Sequence, residues 1–351
     1  MTRAFWVGAG LAVFFGSIPC HGQEPASQKH VYEGMASASG AVAIAPDMFV
    51  ACCGQDNVLR VYRTEGSPAP IASLDVSGFL GLDGEPADIR GAAKIGERIY
   101  WIASHSRDQE GRTRPGRYRF FATTITRKND QIAIEPVGKP CATLLNELPG
   151  LNTVSTLRLD KAMGLGESGI SAGSEKQRQR LAPTKEGLYI ATLCADPRID
   201  TLLIGFRNPR PVRVLTGRPH ALLLPLNNAS EVLEKGKAPI FGEATLWDFD
   251  GLGITCIAYC PAHRAYFILA QPHNKQAPCV LYRWSGMKAT PPEPVRQLGL
   301  TDKELIDVKL VPFEGSPASG QGSNRLLLLT SGDKKADSPT SEKHFRGIWI
   351  R

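Results

Sequence analysis

Short apolar runs separated by Gly, Pro, Asp or Asn recur in groups of four along most of this chain. One group contains the runs Leu188–Leu193, Thr201–Phe206, Ala221–Leu226 and Ala244–Phe249. Runs of this length, bounded by turn-forming residues, are typical of buried β-strands. Four-stranded units in series predict the radial repetition of small sheets, and therefore an all-β protein of the β-propeller class.

The sequence predicts five blades, and the irregular spacing of the units leaves six blades as the alternative. The last apolar run, Gly347–Ile350, lies at the C-terminus, and a strand from His30 to Glu33 would complete its blade from the other end of the chain. No strand-like run alternates with a long helical pattern, which argues against a Rossmann or α/β-barrel fold.

The first 22 residues have the features of a signal peptide. Arg3 supplies the positive charge, Ala4–Ile18 is an uncharged apolar stretch too short for a membrane span, and Gly22 is a small residue at the predicted cleavage site before Gln23. We therefore expect a periplasmic or secreted protein. A lipoprotein attached through Cys20 is the less favoured alternative, because Pro19 precedes this cysteine directly.

The remainder divides into two parts by composition. Residues 23–36 begin with a polar stretch and are predicted to form a flexible N-terminal segment, and residues 37–351 are predicted to form a single β-propeller domain. Within that domain, residues 141–183 interrupt the strand rhythm and are predicted to be an insertion, partly helical near 141–180.

Composition excludes several classes of protein. The chain of 351 residues has a formal net charge of +7 without a basic stripe, which argues against nucleic-acid binding. No second apolar stretch is long enough to span a membrane, so no transmembrane span is expected after signal removal. Seven cysteines would remain, mostly in apolar runs where a free thiol packs as a small hydrophobe, so few disulfides are expected.

Acidic residues precede the predicted innermost strand of several blades. They are Asp88, Glu186, Asp250 and Asp307. In a propeller these positions converge on one mouth of the central channel, so a ring of carboxylates is expected there. Such a ring could hold a hard cation, with calcium at Asp88, Glu186 and Asp250 as the candidate metal site. The alternative is that these side chains cap turns through backbone N–H groups.

Two further groups are candidates for binding or catalysis. The first is Ser104, His105 and Arg107, in which His105 is a candidate acid, base or anion ligand and Arg107 a candidate anion ligand. The second is Arg207 and His220, which lie at the ends of adjacent predicted strands. For both groups the alternative is structural: the side chains would hydrogen-bond to loop backbone or to nearby acids.

The chain also resembles a known but uncharacterised family of bacterial proteins. The segments DIRGAA, RIYWIASHSRDQEGRTRPGRYRFF, KEGLYIATL, DTLLIGFRNP and DGLGITCIAY resemble the domain-of-unknown-function family 3616, with S-H-S-R and L-I-G-F-R-N-P as the most specific parts. The resemblance covers about Val42 to Pro312 and implies an exported, propeller-like protein without an established activity. Arg90 departs from the family pattern, in which an acidic residue precedes the glycine. A more distant similarity to exported esterase-like phytase proteins suggests phosphoester chemistry.

Three functions are compatible with these features. The protein binds a small anionic ligand at the channel mouth, or it is a calcium-dependent phosphoesterase with His105 as general acid, or it is a non-catalytic scaffold for envelope proteins. The sequence does not predict the substrate, whether the protein is an enzyme, or its oligomeric state.

The signal-peptide hypothesis predicts a defined N-terminus. When the full chain is expressed in a bacterium with a general secretion pathway, the mature protein should begin at Gln23. Edman sequencing and intact mass of the periplasmic or secreted fraction test this. A product that retains Met1, or one that carries lipid on Cys20, would contradict it.

Overall fold

The computed structural model describes residues 29–129, 131–146, 148, 159–164, 175–213, 217–272, 278–313, 325–332 and 343–350. In chain order the strands are β1 (Lys29–Glu33), β2 (Gly40–Ala45), β3 (Met48–Cys52), β4 (Val58–Arg63), β5 (Ala72–Asp75), β6 (Ile89–Ile95), β7 (Arg98–Ala103), β8 (Phe120–Lys128), β9 (Gln131–Cys141), β10 (Tyr189–Asp196), β11 (Thr201–Asn208), β12 (Ala221–Leu226), β13 (Thr245–Trp247), β14 (Gly253–Cys260), β15 (Ala265–Gln271), β16 (Cys279–Trp284), β17 (Glu293–Leu298), β18 (Lys309–Phe313), β19 (Arg325–Ser331) and β20 (His344–Ile350).

These strands form five antiparallel four-stranded sheets arranged in a ring. Blades 1 to 4 contain β2–β5, β6–β9, β10–β13 and β14–β17 in sequence order, and blade 5 has the order β1-β20-β19-β18. The innermost strands β2, β6, β10, β14 and β18 contact one another in succession, and β18 contacts β2. The prediction of a five-bladed propeller is therefore confirmed, and the six-bladed alternative is excluded.

Helical segments occupy the connections between strands. They are α1 (Ser77–Leu80), α2 (Leu159–Met163), α3 (Glu175–Arg180) and α4 (Ala229–Lys235), with 3-10 turns at Pro115–Arg117 and Pro261–His263. Helices α2 and α3 lie in the predicted insertion, much of which falls outside the described residues. Strand β9 continues to Cys141, which pairs with Phe120 of β8.

The hydrophobic core is divided among the spaces between adjacent blades. Each of five apolar clusters of described residues combines side chains of two neighbouring sheets. The middle strands β3 and β15 are buried along their whole length. Because both faces of a blade pack against another blade, these strands are continuous apolar runs without polar alternation.

The ring is closed by the N-terminal strand. Strand β1 pairs antiparallel with β20 and so supplies the outermost strand of blade 5, as the run His30–Glu33 predicts. This strand lies within residues 23–36, for which the sequence predicts a flexible segment. For residues 29–33 that prediction is wrong, because their backbone groups pair with β20 and Tyr32 is fully buried.

The sequence analysis also made predictions about membrane spans and about the cysteines. No helix in the described part of the chain combines the length and apolar character needed to cross a bilayer. The seven cysteines downstream of Gln23 are all free thiols, and all except Cys141 are buried. The predicted signal peptide and Cys20 lie outside the described residues.

Closure of the ring predicts a large effect of Tyr32→Ala. The ring of Tyr32 stacks on Phe345 with centroids 5.0 Å apart, and its hydroxyl donates to the Thr64 carbonyl at 3.1 Å. Removing a fully buried aromatic side chain should lower the free energy of unfolding by about 3–5 kcal/mol in urea titrations. Val31→Ala is the matched control, because this neighbouring side chain is 44% exposed. Equal effects of the two substitutions would contradict closure through Tyr32.

Candidate functional site

The innermost strands surround a central cavity of about 840 Å³. It extends to the loops that follow these strands, including Pro46, Gly96 and the segment Pro197–Asp200. The cavity is not enclosed, and this end of it is lined by loop residues that include Ile199, which is 60% exposed. We call this end the lower mouth, and the end at which the innermost strands begin the upper mouth.

Near the upper mouth the channel is closed by Arg90 and Lys309. Both residues line the central cavity and also a separate small crevice above it, of about 10 Å³. The crevice is further lined by Tyr189, Arg207 and Gln271. Two basic side chains thus separate a wide lower compartment from a narrow upper one.

Arg90 connects two carboxylates from different blades. Its Nε donates to Asp88 Oδ1 at 2.6 Å, and its Nη1 donates to Asp307 Oδ1 at 2.6 Å. Ser37 Oγ donates to the second oxygen of Asp307 at 2.7 Å, and the guanidinium lies 5.4 Å from the ring centroid of Tyr189. Burial opposes the charge of Arg90, but Asp88, Tyr189 and Asp307 hold its pKa well above the ordinary value. We call Arg90, Asp88 and Asp307 the arginine bridge.

Lys309 crosses the channel from blade 5. Its Nζ donates to the carbonyl of Ala191 at 2.6 Å and to the carbonyl of Thr255 at 2.9 Å. Ala191 and Thr255 lie where the register of β10 and of β14 shifts, and such a bulge leaves its residue outside the regular ladder. Their carbonyls are therefore available to Lys309. Burial lowers the pKa of this ammonium, and Cys256 and Asp307 oppose that effect.

Gly91, which follows the bulge in β6, is required for close packing of blades 2 and 3. The register of β6 shifts between Ile89 and Gly91, so that Arg90 leaves the ladder. A Cβ on Gly91 would lie 2.4 Å from the backbone nitrogen of Leu193 in the next blade. Glycine at this position therefore permits blades 2 and 3 to approach where the arginine bridge forms.

The predicted ring of carboxylates is only partly assembled. Asp88 and Asp307 share Arg90, but Glu186 forms an ion pair with Arg180 at 2.9 Å and Asp250 lies 3.5 Å from Arg218. The side chain of Asp250 is 90% exposed. Among the described residues no three Asp, Glu, His or Cys side chains lie close enough to hold a metal. The structure therefore does not bring Asp88, Glu186 and Asp250 together as a calcium site.

His105 is a buried, neutral histidine. Its Nδ1 lies 3.0 Å from the Ala103 carbonyl, its ring packs edge-on against Tyr118, and Nε2 has no partner among the described residues. Burial lowers the pKa of His105 to about 4, with a smaller contribution from Arg119. At neutral pH it is therefore not a cation that would attract an anion. His105 also does not line the channel or the crevice.

The arginines around His105 have acceptors within their own loop. Arg107 donates to the Gly111 carbonyl at 3.1 Å, and Arg114 forms an ion pair with Asp108 at 3.0 Å. Ser104 is buried, and its hydroxyl contacts that of Ser106 at 2.9 Å. Within this loop Asp108 neutralises Arg114, whereas Arg107 donates only to a carbonyl and its Nε is buried without a partner among the described residues.

Arg207 and His220 differ in their surroundings. His220 is buried, and its Nδ1 lies 2.8 Å from the Arg218 carbonyl. Arg207 lines the upper crevice, whereas His220 does not. The structure therefore places Arg207, but not His220, at the crevice.

The sequence reasoning missed Arg90, Lys309, Tyr189 and Gln271. A signal for the first two was present: Asp88-Ile89-Arg90 and Asp307-Val308-Lys309 are the same pattern of acid, aliphatic and base at the start of two innermost strands. Both acids bind Arg90, and both bases enter the channel. Tyr189 and Gln271 have no comparable signal, because each is one polar residue at a strand end.

Comparisons with known proteins give no information on activity. No protein-family model matches the chain, and no protein of described function matches it in sequence. The WD40 propeller domain of Doa1 has a TM-score of 0.38 at 7% identity, covering 93% of this chain and 97% of that one.

Two enzymes are similar at the same low level. A putative oxidoreductase (glucose dehydrogenase) of Thermus thermophilus has a TM-score of 0.40 at 10% identity, covering 92% of this chain and all 100% of that chain. A Trypanosoma rangeli sialidase has a TM-score of 0.42 at 10% identity, covering 84% of this chain and 42% of the sialidase chain. These values support no inference about chemistry.

Burial of His105 predicts a specific pH dependence of stability. The pKa of His105 is about 4 in the folded protein, and the ordinary value for histidine is 6.5. Between pH 6.5 and 4, His105 therefore binds a proton in the unfolded chain but not in the folded protein. Stability should therefore fall as the pH is lowered from 6.5 toward 4, by about 3 kcal/mol from this residue. In urea titrations at several pH values, His105→Asn should remove that part of the slope.

His263→Asn is the matched control for this experiment, because His263 is exposed. Asparagine is chosen at position 105 because the backbone there has φ 50, a conformation that asparagine tolerates. If His105→Asn and wild type lose stability in parallel between pH 6.5 and 4, the neutral-histidine assignment is wrong.

Proposed function

We propose that this propeller binds a small anionic ligand at the upper mouth of its channel, with Arg207 as the principal contact. The observation that carries the proposal is the environment of Arg207. Among the described residues, its guanidinium has no carboxylate within ion-pair distance and no hydrogen-bond acceptor, although it lines a crevice beside a buried lysine. An arginine left without an acceptor in such a place is a ready site for an oxyanion.

The balance of charge around the crevice supports this assignment. Arg90, Arg207 and Lys309 line it, and Arg210 lies close enough to Arg207 that burial and this neighbour together lower the pKa of Arg210. The two carboxylates at this mouth, Asp88 and Asp307, are both committed to Arg90. An excess of positive charge in a partly buried crevice favours a bound anion.

Neutral donors at the crevice support it further. The Nε2 of Gln271 is buried and has no oxygen acceptor in the described part of the chain, and the side chain lies against the Cys279 thiol, a weak acceptor. Tyr189 lines the same crevice. A crevice of about 10 Å³ has room for roughly one water-sized group. The proposed ligand therefore places one oxygen of its anionic group in the crevice, and the rest of it lies outside.

Export to the periplasm or outside the cell, and membership of the domain-of-unknown-function family 3616, remain parts of this proposal and rest on the sequence. No specific observation favours a calcium-dependent phosphoesterase or an envelope scaffold over ligand binding. We therefore propose no catalytic step.

The proposal predicts anion-dependent stabilisation that requires Arg207. Phosphate, sulfate and acetate, titrated into wild type at constant ionic strength, should raise the melting temperature and give heats of binding in calorimetry. Arg207→Gln should weaken binding by roughly 10- to 100-fold, the usual range for loss of a charge-assisted hydrogen bond.

Arg127→Gln is the matched control, because it removes the same charge from an exposed position on blade 2. It should bind like wild type. An absence of binding to all three anions at millimolar concentration would refute the proposal, and so would equal affinities of wild type and Arg207→Gln.

A further inference from the structure

We propose that the channel below the arginine bridge is a second binding site, for an organic anion with an apolar body whose carboxylate meets the ammonium of Lys309. Such a ligand would enter through the lower mouth and would not contact Arg207. This site and the one proposed above are reached from opposite ends of the channel, and Lys309 lies between them.

Lys309 has one N–H donor more than the hydrogen bonds that it forms among the described residues. The residue is 6% exposed and lines the cavity. An ammonium has three N–H donors, and Lys309 uses two of them on the carbonyls of Ala191 and Thr255. One donor of a buried cation is therefore left without a partner among the described residues.

Lys309 also has no counter-ion of its own among the described residues. No described carboxylate lies within ion-pair distance of Lys309, because the nearby Asp307 is bound to Arg90 and Ser37. A buried charge without a paired opposite charge is costly, and a carboxylate ligand would offset that cost. Lys309 is thus a group in the channel whose environment improves when an anion binds.

The size and lining of the channel suit a small organic ligand. A volume of about 840 Å³ lies within the range of pockets that hold small organic ligands. The residues that line it are mainly apolar, among them Ala43, Ile44, Ala93, Leu193, Ile257 and Ala258. The cation is at the closed end and the apolar walls lead toward the opening. A ligand that fits has its charge at one end and an apolar body behind it.

The lower mouth carries charges that suit such an arrangement. Arg198 is held by Asp196 at 2.7 Å and donates to the Gly286 carbonyl at 3.1 Å, so both charges of this pair are neutralised at the rim. Arg198 therefore competes less strongly with Lys309 for the ligand's carboxylate than an unpaired arginine would.

The decisive experiment uses a series of straight-chain carboxylates, from butanoate to decanoate, below their micelle concentrations. Affinity for wild type, measured by calorimetry, should rise about fourfold per added methylene until the channel is filled. Octanol and octylamine should bind at least tenfold more weakly than octanoate, because neither offers an anion to Lys309. A flat length dependence, or equal binding of octylamine and octanoate, would overturn the proposal.

Variants separate this site from the upper mouth. Lys309→Met removes the charge and the donors, and Lys309→Gln removes the charge but keeps donors for the two carbonyls. Each should lower octanoate affinity at least tenfold, while Arg207→Gln should leave it unchanged and lose only phosphate binding. If both Lys309 variants fail to fold by circular dichroism, the length and charge series on wild type decides the question.

The two proposals can therefore fail separately. Octanoate binding that disappears in Arg207→Gln, or that inorganic phosphate displaces competitively, would overturn the channel site and leave the upper site standing. Octanoate affinity that is unchanged in both Lys309 variants would also overturn it. Loss of phosphate binding alone bears only on the upper site.

Discussion

The innermost strands of this propeller approach one another so closely that a methyl group would not fit between two of them. A Cβ on Gly91 would lie 2.4 Å from the Leu193 nitrogen of β10. The innermost strand β14 comes equally close to the second strand of blade 3, because a Cβ on Gly253 would lie 2.3 Å from the carbonyl oxygen of Arg207 on β11. Side chains near the axis must therefore be small or must project into the channel. This crowding is why the upper part of the channel is narrow enough for two side chains to close it.

The closure itself depends on backbone irregularities in three blades. The bulges at Arg90, Ala191 and Thr255 occur near the start of β6, β10 and β14, at the same depth in the ring. One of them directs Arg90 toward two acids, and the other two present carbonyls to Lys309. Bulges near functional sites re-aim side chains in this way. In blade 5 the pairing of β18 with β19 has no register shift, and this blade contributes Lys309 rather than a bulge.

The fold could be predicted in detail because its signal is local. The apolar runs of β3, β7, β11 and β15 and their intervening turns are visible without any knowledge of contacts. The partner of the C-terminal strand was also predictable. The last blade has only three strands from the C-terminal part of the chain, so its fourth strand is expected from the N-terminal part. The flexible assignment of residues 29–33 was wrong because pairing with β20, a contact across the whole chain, orders them.

The site was predicted less well, and the reason differs from residue to residue. Asp88 and Asp307 were expected at one mouth and do share Arg90, whereas Glu186 has a nearer partner in Arg180. His105 was a reasonable candidate by type, but burial keeps it neutral. Burial and the identity of the nearest opposite charge are tertiary properties, and a sequence pattern does not contain them.

The sequence by itself determined that this chain forms small antiparallel sheets in series and that acids begin several innermost strands. Hydrophobic periodicity and turn chemistry act over a few residues, so they can be read directly. Only the tertiary structure decided that Arg90 and Lys309, 219 positions apart in a chain that closes on itself, meet in one channel while Glu186 and Asp250 remain at the surface. The physical reason is that electrostatic partners and desolvation depend on distance in space, which strand packing sets.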